Sequence, residues 1–147
     1  MTHKELVNGA KEWLLSAKQC SPVFTERGSA RISEMPDAIG WSGKGSIVVE
    51  VKVSRSDFMV DAKKPFRMKP ELGMGKFRFM MMPQDLYTSL EGHDFGGWGV
   101  LTVKDVLGGI SRPTQVRLMG SKEFDFSMNA EINFLRSRLL EVQRFGR

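Results

Sequence analysis

Three residues in the first half of the chain are of the types that phosphoryl chemistry uses. Asp37 follows a proline in the phrase Met35-Pro-Asp-Ala-Ile-Gly-Trp41, and Glu50 and Lys52 lie two residues apart inside Ser46-Ile-Val-Val-Glu-Val-Lys-Val53. In a strand, successive side chains point to opposite faces, so Ile47, Val49, Val51 and Val53 share an apolar face while Glu50 and Lys52 share the other. Two carboxylates on neighbouring strands can hold a hard divalent cation, and the backbone carbonyl of Val51 can add a main-chain oxygen to the set. Such an ion neutralises the charge that develops when a phosphodiester is hydrolysed and lowers the pKa of the attacking water. A lysine beside it can orient or polarise that water. The three residues therefore read as a metal-dependent phosphodiesterase site.

The competing reading makes Glu50 and Lys52 the solvated face of an edge strand and Asp37 a turn residue after a proline. Short patterns of this kind recur by chance. Against it, Val48 makes the second face partly apolar as well, which marks a central strand, and a basic segment with helix-capping residues follows at once. Cys20 is the single cysteine, and His3 and His93 stand far apart and outside any ligand spacing. A His/Cys metal centre is therefore not expected. The cation would be held by carboxylates and water, which suits Mg²⁺ or Mn²⁺ rather than zinc.

The elements around these residues follow from periodicity. Residues 2–17 place Leu6, Ala10, Trp13, Leu14 and Ala17 on one helical stripe, with Thr2 and Glu5 spaced as a capping box. Cys20-Ser-Pro22 ends that helix. Residues 22–27 read as a short strand, Gly28-Ser29 as a break or bulge, and residues 30–41 as a further extended piece. Ser42-Gly-Lys-Gly45 is a hairpin turn into the strand at residues 46–53. Ser54 and Asp57 then have capping-box spacing, Ser56 is a second N-cap candidate, and a helix is expected from about Asp57 to Lys64, which Pro65 stops. Residues 65–75 form a polar, basic loop. Strands are expected at 76–82, 98–103 and 115–119. Residues 129–145 place Ile132, Leu135, Leu139 and Val142 on one face of a last helix, with arginines on the others.

Arg55, at the start of the second helix, could meet a phosphate where free backbone N–H groups already favour anions. Lys63, Lys64, Arg67 and Lys69, followed by Lys76 and Arg78, form a basic succession beyond the candidate site. Such runs are commonly a solvated face; beside a metal site they are the expected phosphate contacts. Phe77, Phe79 and Met80-Met-Met82 alternate as core, not as base-stacking groups, and Trp41 and Trp98 read as packing residues. Cys20 reads as structural.

The bulk numbers set the frame. A chain of 147 residues, 41% hydrophobic and 27% charged, is expected to form a single domain, residues 1–147, with one proper core. No apolar run reaches the roughly 18 residues a membrane span needs, and the N-terminus lacks the long apolar core of a signal peptide, so a cytoplasmic protein with no membrane partner is expected. The net charge of +5 favours a polyanionic partner.

Pro36-Asp37 followed by Glu50-Val51-Lys52 resembles the bipartite motif of the PD-(D/E)XK nuclease superfamily, which includes restriction endonucleases and Holliday junction resolvases. The longer phrase Glu50-Val-Lys-Val-Ser-Arg-Ser-Asp-Phe58, with Asp61, Lys63, Lys64 and Pro65 after it, looks more narrowly like a group of small bacterial and phage proteins related to a DNA-repair family of that superfamily. The resemblance implies an α/β fold with an αβββαβ core, a mixed central sheet flanked by helices. It implies that Asp37 and Glu50 are metal ligands and that Lys52 orients the water. It also implies a further acid, for which Glu26 in Phe24-Thr-Glu-Arg27 is preferred over the helical Glu5 and Glu12. The expected function is a Mg²⁺-dependent DNA endonuclease, repair- or resolvase-like. Many such enzymes act as dimers so as to cut both strands, so a homodimer is among the expected assemblies. The alternatives are a non-catalytic nucleic-acid-binding protein on the same fold and a basic interaction or inhibitor protein.

Overall fold

In the computed structural model of the chain, which describes residues 1–26, 35–61, 63, 68–117 and 122–145, helices cover both faces of a mixed sheet. The first helix, α1 (His3–Ser16), is followed by strands β1 (Val23–Thr25), β2 (Ala38–Ser42) and β3 (Gly45–Val51), helix α2 (Arg55–Asp61) and strand β4 (Phe77–Pro83). This is the αβββαβ order. Helix α3 (Gln84–Ser89), strand β5 (Gly99–Val103), the hairpin β6 (Asp105–Val106) and β7 (Gly109–Ile110), strand β8 (Thr114–Arg117) and helix α4 (Met128–Phe145) complete the chain. The six-stranded sheet runs β1-β2-β3-β4-β5-β8. Strands β3, β4 and β5 are mutually parallel, and the outer pairings β1/β2, β2/β3 and β5/β8 are antiparallel. The protein is α/β, and β3 is central, with β2 on one side and β4 on the other.

Strand alternation builds the two faces. Val49 and Val51 of β3, Phe79 and Met81 of β4 and Leu101 of β5 meet Leu6, Ala10, Trp13 and Leu14 of α1. Trp13 stands edge-on to Phe79 with ring centroids 5.0 Å apart. The opposite face carries Ile39, Val48, Met80, Met82 and Val100 under Phe58, Phe95, Trp98 and Phe124. Burying each large apolar side chain is worth about 1.5–3 kcal/mol, so both layers contribute to the fold. The start of α1 is set by the capping box: Thr2 Oγ1 accepts the Glu5 N–H at 3.1 Å and Glu5 Oε1 accepts the Thr2 N–H at 3.0 Å. Gly40 is required where β2 passes Cys20, since a Cβ there would stand 2.7 Å from Cys20 Cβ.

Several sequence expectations need correction. Strand β3 ends at Val51, and Val53, placed on the core face by alternation, is 37% exposed. The chain has by then turned toward α2, whose first turn Ser54 and Asp57 cap: Ser54 Oγ accepts the Asp57 N–H at 3.2 Å and Asp57 Oδ2 accepts the Val53 N–H at 3.2 Å. Arg78, expected in an exposed basic succession, is 1% exposed; it donates to the carbonyls of Gly75, Pro70 and Asp125 and lies over the Phe124 ring.

Helix α4 is rotated relative to its apolar stripe. Glu131 and Arg138 are buried while Ile132, Leu139 and Val142 are exposed. The reason is specific bonding: Glu131 accepts from Ser46 Oγ at 2.7 Å, Gly75 N at 2.8 Å and Trp41 Nε1 at 3.3 Å, and the Arg138 guanidinium stacks on Phe24 and Phe134. Helix α3 and the β6–β7 hairpin are additional, being too short for periodicity to reveal. The expected features in residues 27–34, 64–67 and 118–121, including the Gly28-Ser29 break, lie outside the described residues. Among the described residues no helix is long and apolar enough to cross a membrane.

Candidate functional site

Register brings the acids together. Thr25 lies opposite Ala38, and Ala38 opposite Val49, so the next row across β1, β2 and β3 is Glu26, Asp37 and Glu50. The Glu26 N–H donates to the Asp37 carbonyl at 3.0 Å, which carries the β1/β2 ladder one step further and fixes Glu26 beside Asp37. Glu5 and Glu12, the helical alternatives, are elsewhere employed or exposed: Glu5 closes its own capping box and Glu12 faces outward.

Asp37, Glu50 and Lys52 are all buried, at 8%, 7% and 4% exposure. Asp37 Oδ2 accepts the Val51 N–H at 2.7 Å. The N–H and C=O of one strand residue point to the same side. The Val51 carbonyl therefore also faces the Asp37 side, in the row beyond the last β2 partner. The Lys52 N–H points the other way and donates to Met81 of β4 at 2.9 Å.

The carboxyl groups of Glu50 and Asp37 are neighbours in that row. Burial pushes the Glu50 carboxyl well above its ordinary value of 4.5, the neighbouring Asp37 charge and Asp61 push it the same way, and Lys52 opposes them. Two buried acids in contact need a proton or a cation between them. The donor set of two carboxylates and a main-chain carbonyl is that of a hard divalent ion, so Mg²⁺ or Mn²⁺ fits.

Two residues that spacing did not single out complete the surroundings. Lys52 Nζ forms an ion pair with Asp61 Oδ1 at 3.0 Å, with the two side chains 6% and 1% exposed. Asp61 lies one turn after Phe58 on α2, and the buried Phe58 was the available sign that this side of α2 faces the sheet. His3 stands between two of the acids, with Nε2 3.5 Å from Asp37 Oδ1 and Nδ1 3.6 Å from Glu26 Oε1. It is the first residue of α1, and no sequence spacing linked it to residues in β1 or before β2.

The expected phosphate contacts are dispersed. Arg55 is tied to the end of α3 and the loop after it, donating to the Ser89 carbonyl at 3.0 Å and lying 3.0 Å from His93 Nε2, a contact the helix-start reading did not foresee. Lys63 is exposed just after α2, and Lys69 is exposed before the turn Pro70–Leu72. Lys76 belongs to the opposite end of the sheet, beside Ser46: its Nζ donates to the Lys44 carbonyl at 3.1 Å and lies 3.7 Å from Glu123. It is thereby removed from the acid row. Lys64 and Arg67 lie outside the described residues. A separate open groove of about 540 Å³, lined in part by Tyr87, Glu91, His93, Phe95 and Arg117, includes none of Glu26, Asp37 and Glu50.

Neither a protein-family model nor a curated protein matches the chain. Among solved structures, a protein of unknown function from Silicibacter pomeroyi is similar, with a TM-score of 0.62 and 20% identity over 99% of this chain and 93% of that one. At that identity the likeness is one of fold.

Proposed function

We propose that the protein is a metal-dependent DNA endonuclease of repair- or resolvase-like type. The observation that carries this reading is the buried Asp37–Glu50 pair, side by side in the row that follows from the β2/β3 register, with Lys52 two residues further on. Asp37, Glu50 and the Val51 carbonyl would hold Mg²⁺ or Mn²⁺, which when bound supplies charge neutralisation and a more acidic water. Asp37 is held for that task by the Val51 N–H, and Glu50 by the central strand. Lys52, anchored by Asp61, is a fixed positive donor that orients a water or a phosphate oxygen rather than a mobile surface charge. The net charge of +5 favours the polyanion.

The test is a cleavage screen across duplex, nicked, branched and single-stranded DNA, and RNA, with Mg²⁺ or Mn²⁺ and with Lys52→Ala as control. Metal-dependent cleavage lost in that variant supports the reading; equal cleavage by the variant would mean a contaminant or a different site. The engagement of Lys52 by Asp61 favours a second reading, a nucleic-acid-binding protein without cleavage. It expects DNA binding that is indifferent to metal and unchanged in Glu50→Gln.

A further inference from the structure

His3 is the polar group at this site to which the proposed chemistry gives no task. Its surroundings are ordered from three directions. The capping box of Thr2 and Glu5 fixes the first turn of α1, the Val51 N–H occupies Asp37 Oδ2 while Oδ1 turns toward the imidazole, and the Glu26 N–H bonded to the Asp37 carbonyl holds Glu26 in register. One ring nitrogen of His3 and one oxygen from each of Glu26 and Asp37 lie within 4.8 Å of one another.

The separations distinguish two kinds of contact. A direct N–H···O bond spans about 2.7–3.2 Å. The ring nitrogens stand 3.5 Å from Asp37 Oδ1 and 3.6 Å from Glu26 Oε1. Two ligands of one ion, each bound at about 2.1 Å, are about 3.0 Å apart at a right angle and about 3.4 Å apart at a tetrahedral angle. Both separations are long for a hydrogen bond, and they involve different ring nitrogens, of which one faces a given ion; one nitrogen and one oxygen from each acid, within 4.8 Å of one another, draw together around a shared ion. Asp37 belongs to both groups, and a shared carboxylate is the usual bridge where two ions act on one phosphodiester.

Resting on the nuclease reading above, we propose that His3, Glu26 and Asp37 form a second divalent-cation position that shares Asp37 with the Asp37–Glu50 position, and that its imidazole ligand selects a first-row transition-metal ion such as Mn²⁺ over Mg²⁺. The selectivity follows from the donors. Mg²⁺ takes oxygen ligands and keeps its waters, whereas transition-metal ions bind imidazole nitrogen readily.

The chain has two histidines, His3 and His93, so a nitrogen signal can be assigned by substitution. Mn²⁺ is titrated into the full chain, with stoichiometry followed by calorimetry and ligation by pulsed electron paramagnetic resonance. The wild type is expected to bind about two ions per chain and to show a ¹⁴N coupling that changes when histidine is labelled with ¹⁵N. His3→Gln, or His3→Asn if the first variant folds poorly, loses the coupling and falls to about one ion per chain, while His93→Gln keeps both. Bound Mn²⁺ with no nitrogen coupling, or a coupling that survives in the His3 variants, overturns this inference alone. A coupling that persists with unchanged stoichiometry in Glu50→Gln overturns the Asp37–Glu50 position instead. A wild type that binds no Mn²⁺ overturns both.

Discussion

At the N-terminal end of β3, Glu131 reaches in from α4 and accepts bonds from Ser46 Oγ, Gly75 N and Trp41 Nε1, while Arg78 beside it donates to three backbone carbonyls. At the C-terminal end of the same strand, Glu50 is also buried but its neighbour across to β2 is another acid, Asp37. In the first region the fold supplies Glu131 with neutral donors and Arg78 with carbonyl acceptors. In the second it sets like charges against each other and leaves the balance to a proton or an ion. Buried charge of the first kind joins α4 and the loop before β4 to the sheet; buried charge of the second kind costs stability and is what a cation site requires.

The largest expected effect is on cleavage. Glu50→Gln and Asp37→Asn should each lower metal-dependent cleavage by about 10³-fold, and Lys52→Ala by about 10²-fold, as single-turnover rates would show. Glu131→Gln should leave the rate per folded molecule within a few-fold. If the Glu131 variant lost activity as steeply as the Glu50 variant, the division between the two ends would collapse.

Stability sharpens the contrast next. Asp61→Ala removes one partner of a buried ion pair and should cost about 3–5 kcal/mol in urea unfolding. Glu131→Gln should cost about 1–3 kcal/mol, through weaker acceptance of three bonds. Glu50→Gln should instead raise the Tm of the metal-free protein, because the amide needs no counter-charge. Opposite signs for the same acid-to-amide change at the two ends of β3 are the outcome required.

The pH dependence follows with its sign. In the metal-free protein Glu50 keeps its proton where the unfolded chain has lost it, so the folded state binds more protons. Its contribution is full below the ordinary value of 4.5 and is lost as pH rises toward the raised folded value. Melting curves in chelator should therefore show stability declining over that range in the wild type and less so in Glu50→Gln; parallel curves would count against the acid pair. The smallest effect is assigned to Lys76→Ala, which should leave DNA cleavage within about twofold and stability within about 0.5 kcal/mol, since its partners are a carbonyl and an exposed acid far from the acid row. A larger loss of cleavage would restore Lys76 to the nucleic-acid surface.

What could be read without coordinates was local. The capping box of Thr2 and Glu5, the α1 stripe, the alternation of β3 and β4 and the cap at Ser54 all depend on residues a few positions apart, and each is present in the structure. The pairing of Glu50 and Lys52 on one face is likewise a consequence of the strand period alone. Periodicity failed at α4, where Ile132, Leu139 and Val142 should have faced the core, because three hydrogen bonds to Glu131 and the stacking of Arg138 outweigh the burial of that stripe. It failed at Arg78 for the same reason: a charged side chain reads as exposed until the carbonyls that satisfy it are known.

By itself, then, the sequence determined which residue types share a strand face or a helix turn, and so placed an acid and a lysine together at the end of β3. Only the tertiary structure decided what stands opposite them. The register of β1, β2 and β3 aligns Glu26, Asp37 and Glu50 in one row, the packing of α2 delivers Asp61 to Lys52, and the start of α1 delivers His3 to two of the acids. Spacing along the chain carries intrastrand and intrahelical geometry. Contacts between elements depend on how the elements pack, and a site assembled from five of them becomes visible only when they meet.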